Sequence, residues 1–140
     1  MPTIRFYELN SDRFRDDPLL LVAKLAEKAF EQGQSCAILA RDEAEADALD
    51  ERLWSFSEDA FVPHQVAGQD DDDECPVLIL TPALATPVRA ATINLREVSV
   101  PQFGDRLLEI IPADPAGKAK ARERFLHYRS LGLNPSFEKL

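Results

Sequence analysis

The chain has 140 residues, the size of one domain with one sizeable core, and its 45% hydrophobic and 29% charged residues are those of a soluble globular protein. A net charge of −9 sets most of the molecule against nucleic-acid phosphates, and no apolar run approaches the roughly 18 residues of a membrane span. The two cysteines, Cys36 and Cys75, are far apart and have no CxxC or histidine-rich neighbour, which argues against a disulfide framework and a zinc site. The first ten residues lack the basic start and apolar stretch of a signal peptide, so a cytoplasmic protein is expected.

The charge is unevenly spread. Residues 115–140 carry six cations (Lys118, Lys120, Arg122, Arg124, Arg129 and Lys139) against Glu123 and Glu138, a local +4 that leaves −13 on the other 114 residues. A basic end on an acidic body suits a local anionic partner such as an acidic peptide.

Ile4 and Phe6 alternate with exposed positions over residues 3–9, which predicts a first strand. Asp16-Asp17-Pro18 opens a helix, with proline in the first turn and acids at the positive end of the dipole. Pro18, Val22, Leu25 and Ala29 form its buried stripe, and Gly33 ends it. Cys36–Leu39 is an apolar run suited to a strand covered on both faces. Asp42 followed by Glu45 resembles a capping box, and Ala46, Leu49 and Leu53 set that helix's core face. Beyond Trp54 the chain is irregular, and Asp70, Asp71, Asp72, Asp73 and Glu74 read as a solvated loop. Val77–Leu80 predicts a further buried strand, with 93–95 and 107–111 as strand candidates. Asp114-Pro115 opens a last helix running to about Leu131 and stopping at Gly132, and residues 133–140 form a tail that packs or frays. The alternation predicts a single α/β domain over residues 1–140: a three-layer α/β/α sandwich around a largely parallel or mixed sheet.

Such a fold invites a nucleotide, yet the five glycines (Gly33, Gly68, Gly104, Gly117, Gly132) are isolated and make neither GxGxxG nor GxxxxGK[ST]. No cofactor is expected. Consecutive aspartates converge poorly on a cation and lack EF-hand spacing, so no metal is expected. His64 and His127 have no Ser or Cys partner in a nucleophile pattern, so no catalytic residue is assigned.

The last helix carries the signal. Lys118, Arg122, Phe125 and Arg129 fall at i, i+4, i+7 and i+11 and share one face. That face reads either as a solvated surface with Phe125 turned inward, or as a dock in which cations catch carboxylates beside an apolar pocket.

Four stretches of the chain resemble the chi subunits of bacterial DNA polymerase III. They are Phe6-Tyr7 with Leu9-Asn10; Leu53-Trp54 followed by Phe61-Val62-Pro63-His64 and Ala67-Gly68; Pro76-Val77; and Ala121-Arg122-Glu123-Arg124-Phe125 with Tyr128-Arg129 and Gly132. They stand in the family's order over nearly the whole chain. The resemblance implies a nucleotide-binding-like fold without nucleotide or catalysis. It implies two protein partners: the psi subunit, which tethers chi to the clamp loader, and the C-terminal tail of single-stranded DNA-binding protein, an acidic peptide ending in phenylalanine. Nucleic acid is then met only indirectly, and no membrane is involved. Lys118 and Arg122 match the family's tail-binding cations, Phe125 stands where tyrosine is common, and Leu126 stands where a lysine adds a further cation. Phe61 and Ile111 match apolar positions around the terminal phenylalanine, with Arg124 or Arg129 as candidates to replace the missing charge. Two other readings stay open: a nucleotide- or metal-dependent enzyme on the same fold, and a direct single-stranded DNA binder built on basic grooves and stacking aromatics.

Overall fold

The computed structural model describes residues 2–59 and 61–140. Seven strands form one sheet: β1 (Thr3–Glu8), β2 (Cys36–Leu39), β3 (His64–Val66), β4 (Val77–Leu80), β5 (Ala91–Asn94), β6 (Arg106–Ile111) and β7 (Ser136–Lys139). Their spatial order is β3-β4-β2-β5-β6-β1-β7, and every neighbouring pair is parallel, so the expected largely parallel or mixed sheet is wholly parallel. Parallel pairing needs crossovers that cover both faces, which is why β2, β4 and β5 read as unbroken apolar runs and are buried throughout.

The helices are α1 (Asp12–Asp16), α2 (Pro18–Glu31), α3 (Glu43–Ser55) and α4 (Pro115–Ser130). Alternate strand residues feed two cores. Tyr7, Ile38, Ile79, Ile93 and Ile110 pack under α2 and α3, whereas Phe6, Leu39, Leu78, Leu107 and Tyr128 pack on the α4 side. Gly33 and Gly132 follow α2 and α4 with φ of +71° and +83°, the left-handed turn that predicted helix stops require. Asp42 caps α3 by accepting from the Glu45 amide at 2.8 Å. The box closes one residue early, because the Glu45 carboxylate accepts from the Arg41 amide at 2.9 Å rather than from Asp42.

Three elements escape the sequence pattern. Helix α1 is a single turn before α2, β3 lies within the irregular stretch, and the tail forms β7. The tail does pack: the Leu140 amide donates to Glu8 O at 2.9 Å, and the Asn10 and Ser11 amides donate to Leu140 O at 2.8 and 2.6 Å. The acidic loop is organised by Asp72, which accepts from the amides of Gly68 (2.8 Å) and Gln69 (3.1 Å) and from the Gln65 side chain (2.8 Å). Those bonds hold the Asp72 carboxyl below the usual carboxylate range. Among the described residues no helix is long and apolar enough to cross a membrane.

Candidate functional site

Helix α4 begins where Asp114 accepts from the Gly117 amide at 2.9 Å. Gly117 is needed there, since a Cβ would fall 2.6 Å from Pro112 Cβ. The helix is then locked to the sheet through buried polar side chains. Glu109, fully buried on β6, accepts from Arg124 Nε at 3.0 Å, from Asn94 Nδ2 at 3.0–3.1 Å and from the Tyr128 hydroxyl at 2.6 Å. The Val100 amide donates to that hydroxyl at 2.9 Å. Burial pushes the Glu109 carboxyl up, opposed by the Arg124 guanidinium and then by the Asn94 and Tyr128 bonds. Burial likewise raises the Tyr128 hydroxyl, and the Glu109 charge adds to it.

With Ala121, Arg124 and Tyr128 turned inward, the flank of α4 facing β1 and β7 borders a hollow of about 370 Å³. Phe6, Glu8, Ile111, Lys118, Ala121, Arg122, Phe125 and Phe137 line it. Strand register builds its floor: Phe137 stands beside Phe6, and Glu8 stands between Ile111 on β6 and Lys139 on β7. The Phe125 ring lies 5.2 Å from the Phe6 ring, tilted by 59°, so two aromatics form an apolar corner. Above it Arg122 is exposed and makes no ion pair among the described residues. Lys118 Nζ sits 3.8 Å from Glu8 Oε1, and Lys139 Nζ sits 3.9 Å from Glu8 Oε2. An apolar recess under a cationic rim is chemically matched to a ligand that carries both an aromatic ring and carboxylates.

Of the candidate residues, Ile111, Lys118, Arg122 and Phe125 come together here, and three do not. Arg124 points the other way and is spent on Glu109. Arg129 is exposed one turn past Phe125, outside the lining, and Leu126 is exposed at 54%. Phe61 lies beside β3, five strand positions from β1, or roughly 24 Å at about 4.8 Å per strand. The sequence order gave no hint that β3 ends at the far edge of the sheet. There Phe61 (67% exposed) and Trp54 (62%) form a second surface, with ring centroids 6.2 Å apart. His64 supports it from below: its ring meets Trp54 edge-on at 5.0 Å, and its two nitrogens face the carbonyls of Val62 and Asp50. Sequence reasoning missed Phe6, Glu8 and Phe137, which line the hollow, and Lys139, which stands beside Glu8; Phe137 and Lys139 reach this place through the register of β7 with β1.

The two cysteines are placed unfavourably for thiolate chemistry. Burial pushes the Cys36 thiol up to about 12 and raises Cys75 as well, so neither is a ready thiolate. Among the described residues no group of His, Cys, Asp and Glu is arranged to hold a metal.

In fold the chain is similar to solved structures of two other proteins. It matches T4 UvsW with a TM-score of 0.69 at 10% identity, covering 99% of this chain and 41% of that one. It matches the C-terminal domain of the DEAD-box protein Dbp5 with a TM-score of 0.66 at 12% identity, covering 99% and 90%. At such identities the likeness shows the fold alone. In sequence, proteins named DNA polymerase III subunit chi match over most of their length. That of Pseudomonas aeruginosa is 37% identical over 94% of this chain and 92% of its own. That of Escherichia coli K12 is 31% identical over 96% and 95%. The family model described as DNA polymerase III chi subunit, HolC, matches residues 1–136. Four stretches of sequence, a parallel α/β sheet and these matches agree: the chain belongs to the DNA polymerase III chi subunit family, with an accessory role in DNA replication.

Proposed function

We propose that this chain is a non-catalytic adaptor in the cytoplasm that links the clamp loader, through the psi subunit, to the acidic C-terminal tail of single-stranded DNA-binding protein. The observation that carries the reading is the hollow beside α4, where Lys118 and Arg122 rim an aromatic corner on the one basic segment of an acidic protein. The tail's terminal phenylalanine enters between Phe125, Phe137 and Ile111, while its carboxylates pair with Arg122 and Lys118. Ordering a flexible tail on so small a surface costs conformational entropy, which favours weak, fast-exchanging capture. The exposed Trp54–Phe61 pair, at the other edge of the sheet, is the surface assigned to psi, since large exposed aromatics side by side suit a protein interface.

The turn after β1, where a phosphate loop would stand, supports the reading against a nucleotide enzyme. It is Leu9-Asn10-Ser11, and the Asn10 and Ser11 amides are already taken by Leu140 O.

Titrating a labelled acidic peptide ending in phenylalanine at two salt concentrations tests the tail site. Arg122→Ala should weaken binding and flatten its salt dependence, because rim ion pairs are screened over about 10 Å at 0.1 M salt. Removing the peptide's terminal phenylalanine should cost about 2 kcal/mol, at high salt as well as low. Binding indifferent to both changes would leave the basic face a solvated surface.

A further inference from the structure

The tail site contains a carboxylate of its own. Glu8 stands on the floor of the hollow with Phe6 and Phe137 as neighbours and Ile111 level with it on β6. Its side chain is only 20% exposed. Oε2 is shut off from solvent and accepts no hydrogen bond. Its separations from Lys118 (3.8 Å) and Lys139 (3.9 Å) exceed the 2.7–3.2 Å of a hydrogen bond, so attraction between charges holds it without directed bonds. A carboxylate in apolar surroundings without hydrogen bonds is loosely seated, and only the two ammonium groups offset its desolvation. Arg122 remains the unpaired cation on the rim.

We infer that Glu8 is an internal competitor for the acidic ligand: it occupies Lys118 and Lys139 until ligand carboxylates displace it, and so sets how acidic a ligand must be to bind. The inference rests on the peptide-capture reading of the same site. An arriving carboxylate meets Arg122 first, and reaching Lys118 brings it beside Glu8, where like charges repel. A ligand with one carboxylate cannot outweigh that repulsion. One with several carboxylates and a ring filling the Phe6–Phe125 corner can. Glu8 is thus a specificity-determining residue acting through Lys118, and the C-terminal strand supplies, in Lys139, a third cation to the site.

The probe is a synthetic peptide with several aspartates and a C-terminal phenylalanine, its binding read by fluorescence anisotropy. Glu8→Gln keeps the backbone pairing of β1 and removes the charge. It should tighten binding about two- to fivefold, the size of one exposed ion pair, and steepen the loss of affinity with salt. On a Lys118→Ala/Lys139→Ala background that gain should vanish, whereas a general change in field or fold would leave it in place. Glu8→Leu, which suits the apolar walls, should reproduce the gain if charge is the cause. Should the wild type bind while Glu8→Gln and Glu8→Leu bind no more tightly, or should the gain survive removal of both Lys118 and Lys139, the competitor role is overturned. Failure of every form to bind the peptide would instead overturn the capture reading and this inference with it.

Discussion

Removing the Arg124 guanidinium while leaving Glu109 is the sharpest perturbation this fold offers. Arg124→Met keeps most of the side chain's packing and strands a carboxylate that is fully buried. At the 3.0 Å between Nε and Oε1, with an effective dielectric of about 20, the lost attraction is about 5.5 kcal/mol. Glu109 keeps its bonds from Asn94 and Tyr128, which lowers the net cost toward the bottom of the roughly 3–5 kcal/mol seen when a buried pair is broken. A loss of about 3 kcal/mol should lower the melting temperature of a chain this size by about 10 °C. The sign with pH follows from burial having already raised the Glu109 carboxyl. Without Arg124 it rises further, and stability linked to a raised carboxyl is present below the unfolded value of about 4.3 and lost as pH climbs through the folded one. The gap between variant and wild type should therefore narrow from pH 7 toward pH 5. Urea denaturation at both pH values measures it, with Arg124→Met/Glu109→Gln as control, which should cost less than the single change. A single variant losing under about 1 kcal/mol, or a double variant no better than the single, would refute the account of Glu109 as a charge held in place by Arg124.

Three further outcomes are expected. Leu126 lies about 40° round α4 from Arg122, so Leu126→Lys should tighten capture of the acidic peptide by roughly 0.2–1 kcal/mol, read by anisotropy. Asp114→Ala removes the acceptor of the Gly117 amide and should cost about 1 kcal/mol in urea denaturation. Asp72→Ala should destabilise the protein at neutral pH. Because the Asp72 carboxyl is depressed in the fold, its contribution is present above the unfolded value of about 3.9 and lost as pH falls through the folded one, so the difference from wild type should close in acid melts.

The parallel sheet was legible because strands covered on both faces advertise themselves as apolar runs. Cys36–Leu39 and Val77–Leu80 carry that signal without interruption. Edge strands do not. The residues of β7 are all exposed and β3 is half-buried, so what makes them strands is backbone pairing to β1 and β4, which leaves no trace in hydropathy. The same blindness divides the site. Lys118, Arg122 and Phe125 share a helix face, and helical spacing reveals that. Phe137 and Lys139 come near them only because β1 and β7 are in register, a relation between residues about 130 apart in the chain. Phe61 stands apart from that group: adjacency in the family's motif says nothing of which edge of the sheet the motif reaches. Arg124 stands in a basic run, and only the buried Glu109 opposite it reveals that its charge is already committed.

The proposed adaptor has two partner surfaces, which raises the question of whether they communicate. Coupling between sites requires an element with two arrangements that both ligands bias, and it acts equally in both directions. Here the Trp54–Phe61 pair flanks α3 and β3, whereas the hollow lies between α4, β1 and β7, with β4, β2, β5 and β6 intervening. Those central strands are packed on both faces, and the polar cluster nearest the hollow, around Glu109, runs through Asn94 and Arg96 to the carbonyls of Ala40 and Leu80 and stops short of α3. Among the described residues none lines both surfaces. Sites this far apart without shared partners behave additively within about 0.3–0.5 kcal/mol. Trp54→Ala and Phe61→Ala should therefore leave the affinity for the acidic peptide within about twofold of wild type and, under the proposed assignment of that surface, weaken capture of psi. On the proposed function, occupancy by psi should leave the peptide's affinity equally unchanged. Peptide titrations of both variants, and of wild type with and without psi, measure this directly. A change beyond about fivefold in any of them, roughly 1 kcal/mol, would mean that the sheet transmits a second arrangement from one edge to the other.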